Sequence, residues 1–359
     1  MNRRAFLAAA AAPLLGVSSC AGAGHKNLDE QIGRMLMVNM PGQHAADSKI
    51  VDYIKSSRVG GVLLFESNFA PSESPRETLK KLTAELQRPS STPLFIAMDQ
   101  EGGAVNRLKQ EYGFAATLTA ESLGDRNDPQ FTFHYVEKIA AELRAMGINL
   151  NFAPVVDVKV NPDNPVVGRR GRCFSDDPEI VAEQAAAFIR AHHQQGVLTT
   201  LKHFPGHGSS TADSHAGLVD VTQTWSEREL IPYIKLIRGG LVDAVMTAHI
   251  FNRKLDDTYP ASLSKKTITG LLRGRLGYNG LVISDDLLMG AIRNQYSLEE
   301  SVTLAINAGV DMLLFSSMQD NLVERVNDII RQSVNSGRIA AERIDESARR
   351  IGRLKQRLL

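Results

Sequence analysis

The 359-residue chain is poor in sulfur and in aromatic rings: it has two cysteines, one tryptophan and 6% Phe, Trp and Tyr together. Two thiols cannot staple a chain of this size, so a hydrophobic core must hold it. An excess of one charge is also missing, with 41 Lys and Arg against 40 Asp and Glu. The basic footprint of a nucleic-acid binder is therefore absent, and no nucleic-acid partner is expected. The alanine-rich apolar run Ala5–Val17 is shorter than the ~20 residues of a membrane span. There is no HExxH pattern and no cysteine cluster, and no metal or other cofactor is expected. What is present, 43% hydrophobic and 23% charged residues, is ordinary for a globular enzyme-sized body.

The N-terminus reads as an address. Met1-Asn2-Arg3-Arg4 is a short basic region, and the apolar run after it ends in Val17-Ser18-Ser19-Cys20. This resembles a bacterial lipobox, in which the Cys receives lipid and becomes the new N-terminus. Arg3-Arg4 followed by Phe6-Leu7 is similar to a twin-arginine signal, with Asn2 in place of the usual Ser or Thr. The expected organisation is a signal peptide over 1–19, a lipid-anchored linker over 20–27 and a single folded domain over 28–359. The expected location is that of an exported bacterial lipoprotein, tethered through Cys20 on the periplasmic side of a membrane. An uncleaved hydrophobic anchor is the alternative. Lipidation of Cys20 leaves Cys173 the only thiol, and hence no intrachain disulfide.

Short apolar runs then alternate with amphipathic segments. Strands are expected near Met35–Met40, Gly61–Phe65, Leu94–Met98, Leu150–Val158, Leu198–Lys202, Ala244–His249, Leu281–Ser284 and Met312–Phe315. Near-continuous apolar character is what parallel strands covered on both faces require. Arg76–Arg88, Tyr135–Met146, Pro178–His193, Glu227–Ile237 and Leu298–Ala308 carry apolar residues at helical spacing, with start signals at Ser226 and Ser297. Gly147, Gly196, Gly239 and Gly309 stand where these helices should stop. Eight strands in alternation predict an α/β fold, a single-domain (β/α)8 TIM barrel, with an open doubly wound sheet as the other solution. The basic, amphipathic Ala341–Leu359 segment reads as a packing helix.

Unusual polar residues collect at one end of these strands. Asp99 and Glu101 follow the third, Asp157 closes the fourth, Lys202-His203 ends the fifth, His249 the sixth and Asp285-Asp286 the seventh. In a barrel these positions share the C-terminal rim, where βα loops assemble active sites. Adjacent strand residues face opposite ways, so only one of Asp285 and Asp286 is expected to look into the barrel mouth. An ionised carboxylate there can attack an anomeric carbon. The segment from Lys202 to His215 reads KHFPGHGSSTADSH, a loop that Pro205, Gly206 and Gly208 keep from being helical and that is expected to hinge on its glycines. Asp213 and His215 are two apart, and in an extended stretch both project to one side. A carboxylate beside an imidazole fixes its tautomer and suits it to proton transfer. His203 and His207 have zinc-like spacing, but the Pro and Gly between them remove the helix that would align them.

The KHFPGHGSSTADSH run resembles the signature of glycoside hydrolase family 3 β-N-acetylhexosaminidases of the bacterial muropeptide-recycling branch. Asp99-Gln100-Glu101-Gly102-Gly103, Pro260-Ala261-Ser262-Leu263-Ser264 and Val282-Ile283-Ser284-Asp285 agree with that family in the same order, over roughly residues 28 to 320. The resemblance implies that Asp285 is the nucleophile and His215 the acid/base, with Asp213 as its partner. It further implies that Asp99, Arg107, Arg172, Lys202 and His203 hold the terminal N-acetylglucosamine. Three departures stand out. Arg169-Arg170-Gly171 makes a longer and more basic link before Arg172 than is usual, Ala104 stands where many relatives carry Arg, and Cys173 replaces the common Ser. The implied activity is retaining hydrolysis of terminal non-reducing β-linked N-acetylglucosamine from peptidoglycan fragments or chito-oligosaccharides. Phosphorolysis by the same residues, or sugar binding by a lipoprotein without turnover, are the alternatives.

Overall fold

The computed structural model describes residues 21–318 and 321–359. The expected signal peptide and Cys20 lie outside the described residues. A helix runs over Ala21–Arg34, so the stretch from Ala21 that reads as linker is helical backbone.

Eight parallel strands close a barrel, each beside its chain neighbours: β1 (Leu36–Asn39), β2 (Gly61–Leu63), β3 (Phe95–Met98), β4 (Leu150–Asn151), β5 (Leu198–Phe204), β6 (Ala244–Thr247), β7 (Leu281–Asp286) and β8 (Met312–Phe315). β8 pairs back onto β1, with Leu36 opposite Leu313, and this closure excludes the open sheet. The strands are short and apolar because both faces are covered; β3 and β8 are buried at every position. Helices Pro75–Gln87, Pro129–Ala145 and Pro178–Gln194 each open with proline, whose missing N–H is no loss in a first turn. Ser297 caps Leu298–Ala308 in a reciprocal pair with Glu300, as its position predicts.

Within the barrel's strands and helices the structure departs from the sequence reading in three further places. The fourth strand is regular only over Leu150–Asn151; past the cis Ala153–Pro154 peptide, Val155 keeps a single bridge to Lys202. Ser226 precedes a short 3₁₀ turn (Glu227–Leu230) and then helix Ile231–Arg238, and its hydroxyl caps neither. The left-handed stop after that helix is Gly240 (φ 67°), while Gly239 stays right-handed.

Two strand pairs shift register, both at the rim. Between β5 and β6, Leu201 lies opposite Val245 but Phe204 opposite Thr247, so β5 carries an extra residue at Lys202-His203. Between β7 and β8, Ile283 lies opposite Met312 and Asp286 opposite Leu314, which puts an extra residue in β7. Ser284 Oγ fills that gap by accepting the Leu314 N–H at 3.0 Å. Such bulges break the in/out alternation of a strand and re-aim its side chains.

The opposite end of the barrel is sealed. Helix Ala341–Lys355 buries Ile344, Ile351 and Leu354 and packs against Ala21–Arg34. Asp311, fully buried at the foot of β8, accepts from Arg273 (2.7 Å), Arg343 (2.8 Å) and Arg350 (3.2 Å) and from the Val282 N–H (3.0 Å). One carboxylate thus ties the C-terminal helix to the foot of two strands. The predicted packing role of this helix holds.

Candidate active site

A polar cavity of about 310 Å³ opens at the C-terminal rim. Asp99, Arg107, Arg172, Lys202, His203, His215 and Asp285 all line it, so seven of the eight predicted site residues meet there. Asp213 backs one of them. The volume is at the small end of ligand pockets.

One wall is a network of alternating charge. Lys202 Nζ, buried at the end of β5, donates to Asp99 Oδ1 and to Glu101 Oε1, both at 2.7 Å. Arg172 Nε and Nη2 clasp Glu101 at 2.8 Å each, and its Nη1 donates to the Val166 carbonyl. Burial would raise the Glu101 carboxyl, but Arg172 and Lys202 outweigh it and hold the group down at about 2. The Lys202 ammonium is raised, burial opposing and Asp99 and Glu101 overcoming it. Both cations therefore stay charged although buried, with N–H groups left for a ligand. Asp99 Oδ2 faces Arg107 Nη2 at 3.8 Å, and the Arg107 guanidinium sits over the Phe65 ring, 5.3 Å from its centroid.

The floor is set by Asp157, fully buried after β4. Its Oδ2 takes His203 Nδ1 at 2.7 Å, and its Oδ1 takes the backbone N–H groups of His203 (3.2 Å) and His207 (2.8 Å). Burial pushes this carboxyl up, but His203 and His207 bring it below its ordinary value. With Nδ1 on a carboxylate, His203 has Nε2 for the cavity. Burial presses the His207 imidazole down to about 4, so it is neutral at physiological pH. Gly206 (φ 121°) and Gly208 are fixed by close approach: a Cβ would stand 2.6 Å from Glu229 Cβ at the first and 1.7 Å from the Val158 carbonyl oxygen at the second. Close approach therefore requires glycine at both positions.

Glu229 underlies the loop, accepting the N–H groups of Gly208 (2.9 Å) and Ser209 (3.3 Å) through Oε2, while buried Oε1 takes no hydrogen bond among the described residues. Burial lifts its carboxyl to about 8. The folded state thus holds a proton that the unfolded chain gives up near pH 4.5. The stability from this group is complete below pH 4.5 and is lost as pH rises through 8. Glu229→Gln keeps the acceptor and cannot ionise. Its melting temperature should gain on wild type by several degrees between pH 5 and pH 8.5 in matched thermal scans.

Asp285 and Asp286 both line the cavity, contrary to simple alternation, because the β7 bulge turns the strand beneath them. Their environments differ. Asp286 is occupied: Oδ1 accepts from Leu288 N (3.0 Å) and Ser316 N (3.1 Å), and Oδ2 from the Ser316 hydroxyl. Asp285 Oδ1 accepts only the Asp286 N–H (2.8 Å), and Oδ2 takes no protein donor among the described residues. Burial raises the Asp285 carboxyl, but His249 and His203 draw it below its usual value. An oriented, ionised carboxylate with a free oxygen is a competent nucleophile.

Asp213 and His215 lie in a turn rather than an extended stretch. Asp213 Oδ1 accepts both the backbone N–H of His215 (2.9 Å) and its Nδ1 (2.7 Å), an Asx turn that clamps ring and backbone together. Nε2 makes no protein hydrogen bond among the described residues, and the side chain is two-thirds exposed. The loop backbone docks where β7 gives way to helix Gly290–Arg293: Gly290 N meets the His215 carbonyl and Ala291 N that of Ser214, both at 3.3 Å. Glu101, Asp157, Glu229 and Ser316 escaped assignment to the site. The first two were visible as strand-end acids, whereas Glu229 and Ser316 carry no local signal.

A free carboxylate and a carboxylate-backed imidazole share one polar cavity at the rim of a (β/α)8 barrel, an arrangement suited to a glycoside hydrolase. Residues 27–354 match the glycosyl hydrolase family 3 N-terminal domain, and the chain belongs to that family. It is 37% identical over 287 residues to a beta-hexosaminidase of Xylella fastidiosa (strain 9a5c), covering 78% of this chain and 82% of that one. Among solved structures it is similar to a family 3 beta-N-acetylglucosaminidase from Paenibacillus (38% identity, TM-score 0.86), spanning 92% of this chain and 62% of that longer one. It is also similar to a beta-N-acetylhexosaminidase from Beutenbergia cavernae (32% identity, TM-score 0.82), with 92% and 98% covered.

Proposed function

We propose that the protein is a retaining β-N-acetylhexosaminidase that removes terminal non-reducing β-linked N-acetylglucosamine from peptidoglycan fragments or chito-oligosaccharides. The carrying observation is that Asp285, whose Oδ2 is unengaged among the described residues, and His215, whose Nε2 is likewise unengaged among them, share one cavity. Asp285 attacks C1 while His215 Nε2 gives its proton to the departing oxygen, leaving a glycosyl ester on Asp285. His215 then takes a proton from water, and the resulting hydroxide releases the sugar and restores the carboxylate. Asp213 holds the His215 tautomer throughout. An imidazole in this role keeps a second anion away from the nucleophile. Asp99 Oδ2, the spare N–H groups of Lys202 and Arg172, Arg107 and His203 Nε2 are the contacts available to the ring hydroxyls. Strengthened toward the transition state, they lower the barrier.

The test is product analysis by proton NMR on a disaccharide ending in β-N-acetylglucosamine. The β-anomer of free N-acetylglucosamine should appear first, at a rate indifferent to phosphate. A first-formed α-anomer, or a sugar phosphate, contradicts this reading. The N-terminal address supports an exported lipoprotein anchored through Cys20. Incorporation of labelled palmitate should vanish in Cys20→Ala, and incorporation that persists would contradict the anchor.

A further inference from the structure

His249 stands two residues past β6, at the rim and fully buried. Its Nε2 lies 2.9 Å from the Asp286 carbonyl oxygen and its Nδ1 2.6 Å from Ser262 Oγ. A carbonyl can only accept, so Nε2 carries a proton. Burial outweighs the pull of the Asp285 and Asp286 carboxylates and sets the imidazole below its ordinary value, so the ring is neutral at pH 7. Nδ1 is therefore the lone pair, and it accepts from the Ser262 hydroxyl, itself fully buried in the turn Ala261–Leu263. Ser262 thus selects the tautomer that donates toward β7.

Asp286 is the residue that orients the nucleophile, since its N–H donates to Asp285 Oδ1 at 2.8 Å. It is gripped from both neighbouring strands. Its carboxylate accepts the Ser316 N–H just past β8, and its carbonyl accepts His249 from the β6 side, sharing that oxygen with the Met289 N–H (3.0 Å). The extra residue of a bulge has no ladder partner, so grips of this kind decide where the side chains of β7 point. The backbone of His249 is itself fixed. Ala248 N donates to the Phe204 carbonyl at 2.7 Å, and Ile250–Phe251 pairs in parallel with Val219–Asp220.

We infer that His249 is a positioning residue for the nucleophile: its Nε2–H, with the tautomer set by Ser262, holds Asp286 so that Asp285 keeps one oxygen oriented and the other toward the sugar's C1. The inference rests on the hydrolase reading above, in which Asp285 attacks C1. A fully buried ring acts through Asp286 and not on the sugar, so its loss falls on attack and spares binding.

The experiment follows adduct formation with a fluorinated N-acetylglucosaminyl donor by intact-protein mass spectrometry, which gives a trapping rate and a final occupancy. Wild type, His249→Ala, His249→Gln, Ser262→Ala and the double variant His249→Ala with Ser262→Ala are compared, and calorimetry gives the affinity for free N-acetylglucosamine. Misplacing a reacting group by ~1 Å costs about 100-fold, so His249→Ala should slow trapping roughly 10- to 100-fold, reach full occupancy and keep wild-type affinity. His249→Gln, whose amide N–H can donate to the same carbonyl, should recover most of the rate. Ser262→Ala should slow trapping about five-fold and add nothing in the double variant, because it acts through the ring.

A wild-type rate with partial occupancy in His249→Ala is what a merely structural role gives, and it overturns the inference. So does a loss of affinity that matches the loss of rate, a Gln variant no faster than Ala, or a Ser262→Ala loss that multiplies in the double variant. Ser262→Ala keeps the test open if His249→Ala does not fold, and a wild-type rate in it overturns the inference. No adduct at Asp285 in wild type overturns the hydrolase reading on which the inference stands.

Discussion

Asp285→Asn should hydrolyse an aryl N-acetyl-β-glucosaminide about 10,000-fold more slowly than wild type, with an unchanged melting temperature. The amide keeps the shape of the carboxylate and its acceptor for the Asp286 N–H, so the β7 bulge survives. What it loses is the charge and the free oxygen that bonds to C1, and loss of a nucleophile leaves only binding and transition-state electrostatics. Asp286→Asn is the informative control. That carboxylate is engaged by Ser316 and Leu288, so its replacement should disturb stability more than chemistry. Steady-state kinetics and thermal scans on both variants separate the roles. Equal activity losses in the two would contradict the assignment.

The second large effect is at the dyad. His215→Ala should lower kcat by about 100- to 10,000-fold on a disaccharide, the usual range for a lost acid/base. The loss in kcat/KM, which reports formation of the glycosyl–enzyme, should be much smaller on an aryl glycoside with an acidic phenol, which departs without a proton. On that substrate the glycosyl–enzyme ester should accumulate, because no base remains to activate water, and added azide should restore turnover. Asp213→Asn keeps the imidazole but loosens its tautomer and the Asx turn, giving an intermediate loss. A His215→Ala enzyme with equal losses in kcat/KM on both leaving groups would contradict the proton-transfer role.

The fold was legible because each barrel strand is a buried apolar run followed by a chain break, a pattern that needs no long-range information. Its polar termini were equally plain: Asp99, Asp157, Lys202-His203 and Asp285 all reach the rim as their strand ends foretell. The reading failed where a strand departs from regularity. Alternation allows one of Asp285 and Asp286 into the mouth, and the bulges at β5 and β7 admit neighbouring pairs instead. Register shifts depend on the partner strand, which sequence periodicity does not contain. The packing requirement at the glycines of the His207 loop is hidden for a related reason: it is set by close approach to Val158 and Glu229, residues distant in the chain. Glu229 itself sits in a 3₁₀ turn whose sequence looks like a solvated helix start, and only packing reveals it as a buried proton-bearing acid.

The central claim is a covalent bond between Asp285 and the sugar. Incubating the protein with a fluorinated N-acetylglucosaminyl donor that slows breakdown of the intermediate, then peptide mapping by mass spectrometry, tests it directly. The sugar mass should appear on the peptide carrying Asp285, at that side chain, and be absent from Asp285→Asn. An adduct on another carboxylate, or turnover of the donor without any adduct, would contradict it.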